Sequence, residues 1–124
     1  MAAVVLLTAD LLFGSRVQAS LAAAGHEVKL VGDGEGLRAH LQDDAARAPD
    51  ALIADLTDER LDGAGIVQSL LGDGLLAHTR TLAFYSHVDA ATRARASEAG
   101  FDAVIPRSRM AREGAGVLAA LLDG

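Results

Sequence analysis

The sequence predicts a single α/β domain, residues 1–124, in which helices cover both faces of a five-stranded parallel sheet. Five short apolar runs recur along the chain at nearly even spacing, and stretches with a helical spacing of apolar residues separate them. Strands that alternate with helices form βαβ units, whose right-handed crossovers produce a parallel sheet. The hydrophobic residues make up 51% of the chain, which is enough for one packed core.

The apolar runs give the order of the predicted strands in the sheet. These strands are Ala3–Leu7, Val28–Val31, Ala51–Ala54, Thr81–Tyr85 and Ala103–Ile105. The first and third runs are apolar throughout, as expected for strands that are buried on both faces. The segment from Glu27 to Leu30 instead alternates polar and apolar residues, which is typical of a strand at a sheet edge. This contrast predicts the strand order 2-1-3-4-5 of a flavodoxin-like sheet.

The helices are predicted from apolar residues three or four positions apart. Their stripes are Phe13, Val17, Leu21 and Ala24; Leu37, Leu41 and Ala45; Ile66, Val67, Leu70 and Leu71; and Val117, Leu118, Leu121 and Leu122. A further helix is predicted over the alanine-rich segment from Ala90 to Ala99. Gly25 and Gly100 are placed to end helices, and Pro49-Asp50 opens the third strand. The loop from Gly32 to Gly36 lacks a dinucleotide-binding spacing and is interpreted as a flexible connection.

Composition excludes several classes of protein. The formal net charge of −6 argues against non-specific binding to nucleic acid, which requires a basic surface. The chain has no cysteine, so disulfides and thiolate metal sites are excluded. The first residues lack the basic region of a signal peptide, and no apolar run reaches the roughly 20 residues that span a bilayer. We therefore expect a cytoplasmic protein that binds neither nucleic acid nor membranes.

The candidate site follows from the predicted strand order. In such a sheet, ligands gather beyond the carboxyl ends of the strands, at the switch point between strands 1 and 3. The residues that follow these strand ends are Thr8 to Asp10, Asp55 to Glu59, Ser86 and His87, and Pro106 to Ser108. A functional site is therefore expected among these residues.

The third strand carries a resemblance to a known family. The segment from Pro49 to Leu56 is similar to the third strand of bacterial response-regulator receiver domains, which are CheY-like proteins of two-component signal transduction and phosphorelays. The resemblance spans essentially the whole chain and places Asp55 at the phosphoacceptor position. It also implies that Asp62-Gly63 matches the family's Asp-Gly, that Ser86 is the switch hydroxyl after strand 4, and that Arg107 stands at the phosphate-contacting lysine.

Several positions depart from the family's pattern. The acidic pair that holds Mg²⁺ in the family is replaced by Thr8 and Ala9, which leaves Asp10 as the nearest acid. The other departures are Asp58-Glu59 for Met-Pro, Arg107 for lysine, Ser108 for proline and Val104 for the strand 5 aromatic. These differences indicate an atypical receiver, or pseudo-receiver.

The departures also limit the metal and phosphate chemistry. Mg²⁺ needs oxygen ligands in near-octahedral geometry, and Asp10, Asp55 and Thr57 are the candidate ligands, with Asp58 and Glu59 as further acids that would partly restore the site. Asp10 directly precedes an apolar helical stretch, so capping that helix is its favoured role over metal binding. The planar guanidinium of Arg107 favours an ion pair with a carboxylate, and Asp55 is the partner expected for it. We expect no cofactor, and at most weak Mg²⁺ binding.

Other polar residues give no sign of catalysis. The four histidines, His26, His40, His78 and His87, lack the paired spacing of a zinc site. Arg109 and Arg112 lie with Arg107 near the start of the last helix, where they are either solvated or contact an acidic partner. No hydrolase or nucleotide-binding motif is present. The chain is therefore not expected to be an enzyme.

The function predicted from the sequence is that of a stand-alone atypical receiver that acts by binding another protein. A histidine kinase or an output protein is the expected partner, and the family uses the face from about Asp89 to Leu122 for partners or homodimers. Two alternatives remain open at this point. One is a conventional receiver phosphorylated at Asp55, and the other is an enzyme or ligand-binding domain that holds a small anion between Asp10, Asp55, Ser86 and Arg107.

Overall fold

A computed structural model describes residues 1–86 and 90–124 of the chain. Within these residues, five strands alternate with five helices. The strands are β1 (Ala3–Leu7), β2 (Glu27–Val31), β3 (Ala51–Asp55), β4 (Arg80–Tyr85) and β5 (Ala103–Pro106). The helices are α1 (Leu11–Ala23), α2 (Gly34–Leu41), α3 (Gly63–Gly72), α4 (Ala90–Ala99) and α5 (Arg107–Asp123). His87 and Asp89, which the sequence placed near the site and at the start of the partner face, lie outside the described residues.

The strands form one parallel sheet in the order β2-β1-β3-β4-β5, so the predicted fold class and strand order are confirmed. Every residue of β1 and β3 is buried, whereas β2 alternates exposed and half-buried positions. The hydrophobic pattern identified β2 as an edge strand, because the central strands of a parallel sheet covered by helices are buried on both faces.

Two hydrophobic clusters lie on opposite faces of the sheet. One joins α1 and α5 to the sheet through Phe13, Val17, Phe84 and Leu118. The other joins α2 and α3 to the sheet through side chains such as Leu37 and Val67. Helix α4 packs beside α3 on this second face. Helices therefore cover both faces, as the sequence predicted.

The predicted helix ends were mostly confirmed. Gly25 and Gly100 follow α1 and α4 with φ of 97° and 89°, a left-handed conformation that costs glycine least. The prediction was wrong for α2, which ends at Leu41 and does not include Ala45. There the Asp43 carboxylate accepts a hydrogen bond from the Ala45 backbone N–H at 2.9 Å, so a local turn replaces the helix. Helix α2 also begins at Gly34, inside the predicted loop, because Asp33 caps it.

No helix in the described part of the chain has both the length and the apolar character needed to cross a membrane.

Candidate functional site

The site is centred on Asp55, the last residue of β3. Its side chain is 1% exposed, although it lies at the carboxyl end of a strand where a polar group commonly reaches solvent. Both carboxylate oxygens accept hydrogen bonds from donors of the same chain. A buried carboxylate is tolerated when charge-assisted hydrogen bonds replace its hydration, and here they come from two threonines.

Thr8 supplies the donor from β1. Its Oγ1 donates to Asp55 Oδ2 at 2.7 Å, and the residue is 2% exposed. The register pairs Leu7 with Ala54, so the residues that follow the two strands are brought side by side. Gly14 of α1 makes room for Thr8, since a Cβ at position 14 would lie 2.9 Å from the Thr8 methyl group. Thr8 therefore occupies a fitted position directly against the carboxylate.

Thr57 supplies the donors on the other side of Asp55. Its backbone N–H and its Oγ1 both donate to Asp55 Oδ1, at 2.7 and 2.6 Å. This local turn is a common way for an aspartate to hydrogen-bond the backbone two residues ahead. We call the group of Thr8, Asp55 and Thr57 the closed end of the sheet, because its oxygens are engaged internally on both sides.

Gly63 supports the closed end from α3. A Cβ at this position would lie 2.6 Å from the Asp55 carbonyl oxygen, so only glycine allows the helix to start this close to β3. Asp62 precedes it in a left-handed conformation with φ of 53° and caps α3 through the Gly65 N–H. Its carboxylate also pairs with Arg95 of α4. The Asp-Gly pair therefore has a structural role in joining β3, α3 and α4.

Asp10 takes the predicted capping role. Its Oδ1 accepts a hydrogen bond from the Phe13 N–H at 3.0 Å, at the start of α1. Its Oδ2 lies 3.5 Å from a guanidinium nitrogen of Arg107. The Asp10 carboxylate therefore has two partners outside the closed end, while the Asp10 backbone N–H donates to Thr8 Oγ1 at 3.1 Å.

The ion pair expected between Arg107 and Asp55 is not formed, because Arg107 contacts Asp10 instead. Arg107 is the first residue of α5, and its guanidinium carbon lies 4.0 Å from the centroid of the Phe13 ring. The Phe13 ring in turn packs against Phe84, with centroids 5.2 Å apart. Arginine stacks readily on aromatic faces, and the exposed face of Phe13 together with Asp10 offers it that contact. Asp55 is left with neutral donors instead of a cation.

Ser86, the residue that follows β4, is not linked to Asp55 within the described residues. Ser86 is exposed, and within the described ranges no hydrogen bond joins its hydroxyl to the Asp55 carboxylate. Val104 of β5 is 37% exposed. Because β4 lies between β5 and β3 in the sheet, Val104 is not on a strand next to the closed end.

The residues at the closed end do not fit a divalent cation. Mg²⁺ prefers carboxylate and carbonyl oxygens that are free to coordinate. Both oxygens of Asp55 already accept hydrogen bonds, Thr8 is neutral, and the Thr57 hydroxyl is directed to Asp55. Across residues 1–86 and 90–124, no group of three or more histidine, aspartate or glutamate side chains is arranged to hold a metal ion. Of the three predicted ligands, Asp55 and Thr57 lie together, whereas the Asp10 carboxylate contacts the Phe13 N–H and Arg107.

The sequence missed two features of this site. The strand order placed Thr8 in the candidate site, but its hydrogen bond to Asp55 was not predicted. The contact of Arg107 with Phe13 joins residues that are far apart in the chain, and no local signal predicts it. A hydroxyl at the first position after β1, next to the end of β3, was the signal for the bond between Thr8 and Asp55.

Solved structures with this architecture include response-regulator receiver domains. A response regulator from Chloroflexus aurantiacus is 20% identical and superposes with a TM-score of 0.85, covering 99% of this chain and 98% of that one. The receiver domain of NarL from Mycobacterium tuberculosis is 23% identical, with a TM-score of 0.77 and coverage of 99% and 97%. The phosphorylated cyanobacterial phytochrome response regulator RcpA is 20% identical, with a TM-score of 0.82 and coverage of 98% and 94%.

The chain therefore has the CheY-like receiver fold. No protein-family model matches the sequence, and no curated protein matches it.

Proposed function

We propose that this chain is a single receiver-like signalling domain that works without phosphorylation of Asp55. The observation that carries the proposal is the closed end of the sheet. Asp55 stands at the phosphoacceptor position of the fold, but it is 1% exposed and both of its oxygens accept hydrogen bonds from Thr8 and Thr57.

The geometry opposes phosphoryl transfer to Asp55 for two reasons. A carboxylate that attacks a phosphodonor needs an oxygen that the incoming phosphorus can reach in line, and burial denies this approach. The charge that develops on the phosphoryl oxygens also needs cations at the site. Thr8 is neutral, and Arg107 is held by Asp10 and Phe13. A conventional phosphorylatable receiver is therefore the less favoured reading.

The output of such a domain is its surface. In this proposal a protein partner, either a histidine kinase or an output protein, binds the face built from α4, β5 and α5, and a homodimer would use the same face. The link from Asp55 to this face is weak, because Ser86 has no hydrogen bond to Asp55 among the described residues and Val104 has few χ1 rotamers. Binding of the partner is therefore constitutive.

The test of the proposal is titration of the whole chain with Mg²⁺ and then beryllofluoride, followed by NMR. Beryllofluoride mimics an acyl phosphate on an aspartate. We expect no saturable chemical-shift change at Thr8, Asp55 and Thr57, and no gain of a phosphoryl group by intact mass after incubation with acetyl phosphate. Saturable shifts there, with a mass gain that Asp55→Asn abolishes, would establish the conventional receiver. Shifts with phosphodonor anions alone would favour the ligand-binding alternative.

Constitutive binding is tested by measuring affinity for a partner protein after that partner has been isolated. The affinities of the wild type, Asp55→Asn and Asp55→Glu for that partner are expected to agree within about tenfold, or 1.4 kcal/mol. A larger difference would show that the closed end still controls the α4 to α5 face.

A further inference from the structure

A cavity of about 320 Å³ lies between α4 and the sheet, on the face opposite α1 and α5. Tyr85 of β4 and Val104 of β5 line it together with Ala96 of α4. The register pairs Ala83 with Val104 and Tyr85 with Pro106, so Tyr85 and Val104 belong to neighbouring strands, are offset by two residues and share one face of the sheet. The closed end contributes no residue to this cavity.

The cavity exists because the residues of α4 are small. The helix has the sequence AATRARASEA, and the side chain it buries at the cavity is Ala96, which is 3% exposed. An alanine leaves the ring of Tyr85 and the side chain of Val104 uncovered where a larger residue would fill the space. Phe101 extends the apolar lining at the start of β5.

The rim of the cavity offers a positive charge. Arg93 of α4 lines it, and within residues 1–86 and 90–124 no ion pair is formed by Arg93. The acid of the same rim, Asp102, is engaged with β4, where its Oδ2 accepts from the Thr81 N–H at 2.8 Å. The cavity therefore combines an apolar floor, an aromatic ring and a guanidinium that is free to bind a carboxylate in bidentate fashion.

We propose that this cavity binds a small aromatic carboxylic acid, with the ring against Tyr85 and Val104 and the carboxylate on Arg93. A volume of about 320 Å³ falls at the lower end of the range of ligand pockets, about 300–1,000 Å³. Among the described residues, Val104, at 37% exposure, is the one large apolar side chain of β5 that is substantially exposed, so the apolar contact offered by the cavity matches a single ring system. Concave shape and charge thus favour a compact anion.

Such a ligand would give the domain an input that the closed end does not supply. It would bridge α4 and β5, so its affinity would differ between positions of α4 relative to the sheet, and binding would select one of them. This regulatory role rests on the proposed function, whereas the binding site itself does not.

The test uses three probes with the same ring system: 2-naphthoate, 2-naphthylmethanol and 2-naphthylmethylamine, added to the ¹⁵N-labelled whole chain. We expect saturable shifts at Arg93, Ala96 and Val104 with the acid, which should bind at least about tenfold more tightly than the alcohol or the amine. Arg93→Gln should remove the preference for the acid and keep the weak binding of the alcohol. Val104→Trp should fill the cavity and abolish binding of all three probes.

The matched control is Arg16→Gln, an exposed arginine of α1 on the opposite face of the sheet, which should leave the binding of 2-naphthoate unchanged. Unchanged resonances of Gly63 and Asp55 in Val104→Trp would show that this variant is folded. Equal binding of acid and amine, shifts that do not saturate, or an Arg93→Gln variant that keeps the preference for the acid would overturn the proposal.

The same samples separate this inference from the proposed function. If 2-naphthoate fails to bind while Asp55 stays inert to beryllofluoride, only the ligand proposal is wrong. If Asp55 accepts beryllofluoride while 2-naphthoate binds, the site is correct and the phosphorylation-independent function is wrong.

Discussion

The closed end of the sheet and the α4 cavity lie on the same small domain and differ in almost every physical respect. At the closed end, a buried carboxylate is held by donors from two segments at 2.6 to 2.7 Å. At the α4 cavity, the small side chain of Ala96 leaves a space of about 320 Å³ beside the exposed Arg93. Packing and hydrogen bonds are thus concentrated around Asp55, and open surface lies beside α4 and β5.

The largest expected effect comes from breaking the closed end through Gly63. In Gly63→Ala the new methyl group would lie 2.6 Å from the Asp55 carbonyl oxygen, so β3 and α3 must separate. We expect a loss of about 1–3 kcal/mol in the free energy of unfolding, measured by urea denaturation. The matched control is Gly72→Ala in the same helix, where a Cβ meets nothing within 4 Å. That variant should be neutral or more stable by up to about 1 kcal/mol, and equal losses in both variants would contradict the close packing.

A comparable effect is expected from the hydrogen bond between Thr8 and Asp55. Thr8→Val keeps the shape of the side chain and removes one donor to a buried charge, so we expect a loss of about 1.5–3 kcal/mol. Thr79→Val is the control, because the Thr79 hydroxyl donates to the neutral Pro49 carbonyl at 2.8 Å and should be worth only about 0.5–1.5 kcal/mol. Both values come from urea denaturation. A Thr8 variant no more affected than the Thr79 variant would show that Asp55 does not depend on this donor.

The smallest effects are expected at the exposed ion pairs, which sharpen the comparison between the two regions. Arg107 and Asp10 are 43% and 46% exposed, and Arg95 and Asp62 are 58% and 48% exposed, so solvent weakens both pairs. A double-mutant cycle on either pair should give a coupling energy below about 1 kcal/mol. Truncation of Arg107 alone should cost slightly more than truncation of Arg95, because Arg107 also stacks on Phe13. A larger loss of stability on truncation of Arg95 than of Arg107 would show that the ion pair between α3 and α4 contributes more to the free energy of unfolding.

Much of the fold was predictable because the apolar patterns and the turn residues of the sequence indicate the same strands and helices. The apolar runs of β1 and β3, the alternation of β2 and the glycines after α1 and α4 are local signals whose cause is burial or backbone conformation. Local competition explains the main error, since Asp43 ends α2 early by binding the backbone of Ala45. The capping role of Asp10 was also correct, because a cap depends only on the residues of the next turn.

The sequence by itself determined the α/β class, the order of the strands and the position of Asp55 at the end of β3. These features depend on burial patterns and turn residues within short segments of the chain. The tertiary structure decided which groups meet there. Thr8 reaches Asp55 because β1 and β3 are neighbours, and Arg107 turns to Phe13 and Asp10 because the starts of α1 and α5 come together. The α4 cavity likewise depends on small residues of one helix facing two strands. Contacts between distant segments are set by packing geometry, which no local pattern of residues encodes.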